Sequence, residues 1–149
     1  MKKWFVTAIL VLSAYSFSGA QDKGFGLGII LGEPTGISGK QWLSATSAID
    51  GAAAWNFGSG GYLHLHADYL LHNYDLIKVT EGRLPLYYGI GGRIGFGDKT
   101  VVGLRGVVGL AYQFSGAPVD AFLEIAPLMD LVPGTSFHVQ GGIGARFYF

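Results

Sequence analysis

The chain has 149 residues, enough for one domain. Half of its residues are hydrophobic and 13% are charged, against about 25% charged in ordinary soluble domains, and its 25 glycines stand far above the usual share of about 7%. Zero formal charge without a basic run argues against a nucleic-acid partner, and the lack of cysteine excludes disulfides, thiolate metal sites and an acylated N-terminal cysteine.

Residues 1–20 have the layout of a secretory signal peptide: Lys2 and Lys3, an apolar run from Trp4 to Leu12, then small residues at Ser18-Gly19-Ala20. An uncleaved anchor is disfavoured, because the run is short of the ~20 apolar residues that a spanning helix needs. The mature chain is then residues 21–149, where loss of Lys2 and Lys3 leaves eight basic residues against ten acidic. The longest later apolar runs, such as residues 106–119, are broken by glycine and proline, so a membrane crossing has to use strands.

From Phe25 onward the hydrophobic period is two, the period of a half-buried strand. The first stretch, 25–32, sets Phe25, Leu27, Ile29 and Leu31 against mostly glycine. The second, 35–42, is weaker, but Ser38 and Lys40 share a face. In 47–57, Ile49, Ala53, Trp55 and Phe57 oppose Asp50 and Asn56, and in 62–72, Leu63, Leu65, Ala67, Tyr69 and Leu71 oppose His64, His66, Asp68 and His72. The stretch 84–96 sets Leu84, Leu86, Tyr88, Ile90, Ile94 and Phe96 against Tyr87 and Arg93. In 101–114, Val102, Leu104, Val108, Leu110, Tyr112 and Phe114 face away from Arg105 and Gln113. Residues 119–131 alternate Val119, Ala121, Leu123, Ile125, Pro127, Met129 and Leu131 with Asp120, Glu124 and Asp130. The last stretch, 136–149, sets Phe137, Val139, Ile143, Phe147 and Phe149 against Ser136, His138, Gln140 and Arg146. Pro127 is anomalous inside a strand, since it removes a ladder donor.

The separators carry turn chemistry: Glu33-Pro34, residues 43–46, Gly58-Ser59-Gly60-Gly61, Gly97-Asp98-Lys99, residues 115–118 and Pro133-Gly134. Only 73–83 is a long link. Eight strands of about the ~9–11 residues that a tilted transmembrane strand needs predict an all-β, eight-stranded antiparallel up-and-down transmembrane β-barrel.

Volume decides which face points out. One face is bulky and apolar; the other carries Gly26, Gly28, Gly32, Gly89, Gly91, Gly95, Gly103, Gly109, Gly142 and Gly144. The interior of an eight-stranded barrel is just wide enough for side chains to fill, so the bulky face belongs outside, against lipid. The alternative, a soluble lipocalin-like barrel, would overfill its core and coat itself in glycine. Aromatics fall near both strand ends, as membrane-interface belts do: Trp55, Phe57, Tyr62, Phe96 and Phe137 at one, and Phe25, Trp42, Tyr69, Tyr88, Tyr112, Phe114, Phe147 and Phe149 at the other.

The leader, the eight alternating stretches and the ending Gly144-Ala145-Arg146-Phe147-Tyr148-Phe149 resemble the small outer-membrane barrels: the OmpA-type transmembrane domain, OmpX and OmpW. Gly32-Glu33-Pro34-Thr35-Gly36 with Asp120-Ala121-Phe122-Leu123-Glu124 is more closely similar to an uncharacterised family of small bacterial barrels with spirochaetal members. The resemblance implies residence in the outer membrane among its lipids, and recognition of Phe147 and Phe149 by the barrel-assembly machinery. Some spirochaetal relatives are implicated in binding a host complement regulator, so a host or envelope protein is a possible partner. No peptidoglycan-binding domain follows, so cell-wall tethering is not implied. The expected outer loops, 33–35, 58–61, 97–99 and 131–135, are too short for an OmpX-like adhesive fringe.

Inward-facing Lys40, Arg93, Arg105 and Arg146 against Asp50, Asp68, Asp120, Glu124 and Asp130 have to pair, because an isolated buried charge is very costly. Hairpin register predicts Lys40 near Asp50, Asp120 opposite Arg146, and Asp68, Glu124 or Asp130 serving Arg93 and Arg105. The bland role is a structural plug of the lumen; the sharper one is a gate for a small solute or ion. His64, His66 and Asp68, with His72 continuing the row, are a weak zinc candidate, since nothing fixes a fourth ligand. Hydrogen-bonded lumen groups are the preferred reading, and no cofactor is called for. Ser136, His138 and Asp130 near one rim suggest a nucleophile, base and orienter, but they point where a lipid ester does not arrive, so no enzyme is expected. The expectation is a non-enzymatic outer-membrane protein with a structural or surface role. The alternatives are a narrow pore or a surface protein that binds a host or partner protein.

Overall fold

The computed structural model describes residues 24–33, 35–56 and 62–149. The expected leader, Pro34, Phe57 and the Gly58–61 turn lie outside them. Eight strands follow in order: β1 (Phe25–Gly32), β2 (Gly36–Trp42), β3 (Ser47–Asn56), β4 (Tyr62–Asn73), β5 (Leu86–Phe96), β6 (Val101–Gln113), β7 (Val119–Val132) and β8 (Ser136–Tyr148). Each pairs antiparallel with the next, and β8 returns to β1 from Gly26↔Tyr148 to Gly32↔Gly142, so the sheet closes into an up-and-down barrel without a free edge. The Phe149 amide extends this seam by donating to the Phe25 carbonyl at 2.9 Å. Among the described residues no helix is long and apolar enough to cross a membrane.

Local chemistry explains where strands begin and stop. Thr35 is a turn residue rather than the first residue of β2: its hydroxyl accepts from the Gly32 amide at 2.9 Å and donates to the Gly32 carbonyl at 2.8 Å. In the β2–β3 turn, Ser44 Oγ accepts from the amides of Thr46 and Ser47 at 3.2 and 3.0 Å. The fifth strand starts at Leu86 and not at residue 84, because Pro85 has no N–H to offer a ladder. The long link still returns along β6, with Arg83 and Gln113 exchanging backbone hydrogen bonds at 3.0 and 2.7 Å. Pro127 pairs with Val139 of β8, but its ladder with β6 is interrupted between Val108↔Ile125 and Arg105↔Leu128.

The period-two pattern becomes two opposite surfaces. The outer rows of all eight strands are large, apolar and exposed: Leu27, Ile37, Ile49, Leu65, Ile90, Leu104, Ile125 and Ile143 among them. The inner rows hold the buried side chains. Trp42 and Tyr62, expected in the outer aromatic belts, instead share the parity of Lys40 and His64 and face inward. Trp42 is 5% exposed, and the Tyr62 ring lies where a Cβ on inward-facing Gly95 would be. Parity along the strand, not distance from its end, decides their direction. Nor is the inner face only small and polar: Ile30, Leu70, Tyr87, Val107 and Phe122 meet in an apolar cluster across the barrel.

Candidate functional site

The inner rows place all nine expected charges inside the barrel, and eight of them are buried, with Arg93 partly so. Four of their connections share one geometry: a long polar side chain crosses a glycine on the strand between and meets its partner two strands away. Asp68 of β4 is level with Gly91 of β5, which is level with Arg105 of β6. Arg105 Nε donates to the Asp68 carboxylate at 2.8 and 3.0 Å. Arg93, Gly103 and Asp130 repeat the arrangement across β5, β6 and β7, where Nε and Nη2 of Arg93 donate at 2.8 and 2.6 Å to the two oxygens of Asp130. So do Tyr87, Gly109 and Glu124, with the phenol donating at 2.7 Å. On the closing seam Arg146 crosses Gly28 to reach Ser38 Oγ at 2.9 Å. A Cβ at Gly91 would strike the Asp68 carboxylate, one at Gly103 the Asp130 carboxylate, and one at Gly109 the Tyr87 ring. The glycine face is therefore the space through which the ion pairs form.

The register expected for two pairs is present, but the ion pairs drawn from it are not what the side chains form. Lys40 and Asp50 are level across β2 and β3, and Asp120 and Arg146 are level across β7 and β8. Their side chains nevertheless go elsewhere. Lys40 Nζ donates to His72 Nε2 at 2.7 Å and lies 4.3 Å from the centroid of the Trp42 ring. His72 Nδ1 is 3.1 Å from the Thr46 carbonyl, so this nitrogen donates there and leaves Nε2 as the acceptor for the lysine. Arg146 Nη2 reaches Asp50 Oδ2 at 3.1 Å, while Asp120 accepts from the Tyr148 hydroxyl at 2.6 Å. In a narrow barrel, inward side chains converge on the axis and reach non-adjacent strands as easily as adjacent ones.

The interior has three levels. At the level of Lys40, His72 lies against Trp42 with ring centroids 4.4 Å apart, and the Tyr148–Asp120 bond stands close by. In the middle, Arg105 joins Asp68 to Glu124, with its Nη2 at 3.2 Å from Glu124, and the Arg146 guanidinium lies 3.9 Å over the Phe122 ring. At the opposite level stand Arg93, Asp130, His64 and, at the rim, His138 and Ser136. His64 and His66 are buried, with ring centroids 5.8 Å apart.

The rim trio has the right residue types but not a relay's connectivity. His138 Nε2 is 3.1 Å from Ser136 Oγ and also 3.1 Å from Asp130 Oδ2. A nucleophile–base–orienter chain uses opposite ring nitrogens for the two contacts. Asp130 is moreover already held by both donors of Arg93.

Tyr87, Tyr148 and Gln113 join the polar interior without having been given a role from sequence. Their parity marks them as inward, and the signal was available: a buried phenol has to find an acceptor, and Glu124 and Asp120 are the acceptors in reach. On the outer face at the same end as Tyr148, Phe147 and Phe149 point outward beside the seam, with ring centroids 5.3 Å apart. Comparison with protein-family models, curated proteins and solved structures finds no match to this chain.

Proposed function

We propose that this chain is an integral outer-membrane β-barrel with a non-enzymatic structural or surface role, exported by its N-terminal signal peptide and closed along its axis. One observation carries the membrane reading: bulky apolar rows are exposed around the whole circumference while the ions are buried inside. Each such side chain left in water forgoes about 1.5–3 kcal/mol of burial, and soluble monomers rarely expose contiguous apolar patches beyond a few hundred Å². Lipid removes this penalty on all eight strands at once.

The crossing pairs Arg93–Asp130, Arg105–Asp68 and Arg146–Asp50 support a plugged interior over a pore. The short links 97–100 and 133–135 offer few side chains to a protein partner, which favours a structural role over capture of a host or envelope protein. The likeness to OmpA-type, OmpX and OmpW barrels belongs to the same proposal. It rests on strand number, closure and the Phe147–Phe149 ending, which suits the barrel-assembly machinery.

The test is to express the full chain and follow it into membranes. Retention in the outer-membrane fraction after alkaline carbonate washing, with no discrete conductance steps in planar lipid bilayers, is the expected result. Stable steps would replace the plug with a pore. A processed monomer soluble without detergent would overturn the membrane reading altogether.

A further inference from the structure

We propose that Asp50, His66 and Asp68 bind one divalent transition-metal ion of the zinc type inside the barrel, between β3 and β4. Asp50 and Asp68 are directly opposite each other in the ladder, and His66 lies two residues from Asp68 on the same inward row. Each residue offers a donor atom, and the donors all lie within 4.8 Å of one another. This set differs from the triplet visible along β4 alone: Asp50 from the neighbouring strand takes the place of His64.

Two independent features point to a cation as the ligand of this site. Like charges directly opposite in a sheet are destabilising, and here they are buried, Asp50 at 3% exposure and Asp68 at 2%. Arg105 reaches both oxygens of Asp68, but arginine satisfies Asp50 only in part. Arg146 holds Asp50 Oδ2 at 3.1 Å, while Asp50 Oδ1 has no hydrogen-bond partner among the described residues. His66 is 93% buried (7% exposed), and among the described residues neither of its ring nitrogens has a hydrogen-bond partner. Its Nδ1 stands 3.2 Å from Asp68 Oδ2 but is not aligned to donate to it. That separation suits two ligands of one ion: tetrahedral ligands at 2.0–2.1 Å from zinc lie about 3.3 Å apart. Charge agrees, since the inward rows set four basic side chains, Lys40, Arg93, Arg105 and Arg146, against five carboxylates.

The donor chemistry names the class of ion. One imidazole and two carboxylates, without thiolate, suit zinc and its first-row neighbours. Calcium asks for six to eight oxygens, which the site does not offer. Arg105, whose Nε lies 2.8 and 3.0 Å from the two oxygens of Asp68, and Arg146, on Asp50 Oδ2, orient the two carboxylates, as hydrogen bonds to carboxylates around metals do. Three protein ligands leave a fourth position for water.

The test uses the full barrel purified in detergent micelles, stripped with chelator and then titrated calorimetrically with Zn²⁺ and by visible absorbance with Co²⁺. One ion per chain is expected. Affinity should fall at least about 100-fold in His66→Ala and in Asp50→Asn, since loss of a mere supporting partner already costs 10–100-fold. It should not change in His138→Ala, which removes the rim histidine. No saturable binding, or binding that survives His66→Ala and disappears in His138→Ala, would overturn the proposal. Should both interior variants fail to fold, the His138→Ala barrel is melted with Zn²⁺ and with chelator. A rise in Tm with zinc supports the site, and identical melts refute it.

Discussion

Replacing Arg105 with methionine isolates the interaction on which the interior depends. The arginine side chain is wholly buried, and it donates twice to Asp68 and once to Glu124. Methionine fills much of the stem's volume and removes the guanidinium. Glu124 keeps the Tyr87 hydroxyl at 2.7 Å. Asp68 then keeps no aligned donor among the described residues, because His66 is near but misdirected. Removing one partner of a buried pair costs about 3–5 kcal/mol, against a total stability of about 5–15 kcal/mol for a typical domain. The Arg105→Met barrel should therefore lose about 3–5 kcal/mol. Adding Asp68→Asn, which deletes the orphaned charge, should restore about 2 kcal/mol or more. Urea unfolding in detergent micelles, followed by the fluorescence of buried Trp42, measures both. A loss below about 1 kcal/mol, the range of exposed pairs, would refute the argument, and so would a double variant no more stable than Arg105→Met.

Three further outcomes test other parts of the architecture. On β6, Gly103→Ala should destabilise by about 1–3 kcal/mol, because its Cβ would push into the Asp130 carboxylate. Gly106→Ala in the same strand meets nothing closer than Pro127 Cγ at 3.7 Å and should stay within about 0.5 kcal/mol of wild type; equal effects in the two urea titrations would sink the crossing geometry. Ile125→Lys, on the outer row of β7, should cost about 2–4 kcal/mol for folding into lipid vesicles if this row meets the bilayer midplane, whereas a cost near zero would argue for a watery outer surface. Phe149→Ala should slow insertion into outer membranes several-fold in pulse-labelled cells, while Phe137→Ala, an outward aromatic away from the terminus, should not. Equal rates would remove the assembly role of the ending.

A two-residue period needs no tertiary contact to be read, and it carried the eight strands, their order of antiparallel pairing and the direction of almost every side chain. Lys40 level with Asp50, and Asp120 level with Arg146, were predictable because turn length sets hairpin register. Trp42 and Tyr62 show the limit of reading by location, since their inward direction follows from parity alone. Partner choice in the interior belonged to the closed barrel. Arg105 meets Asp68 across Gly91 and Arg146 meets Ser38 across Gly28, and closure of the ring brings Arg146 of β8 to Asp50 of β3. Local sequence spacing specifies neighbours along a ladder; it does not specify neighbours across a lumen, where the distance between side chains depends on how many strands close the ring.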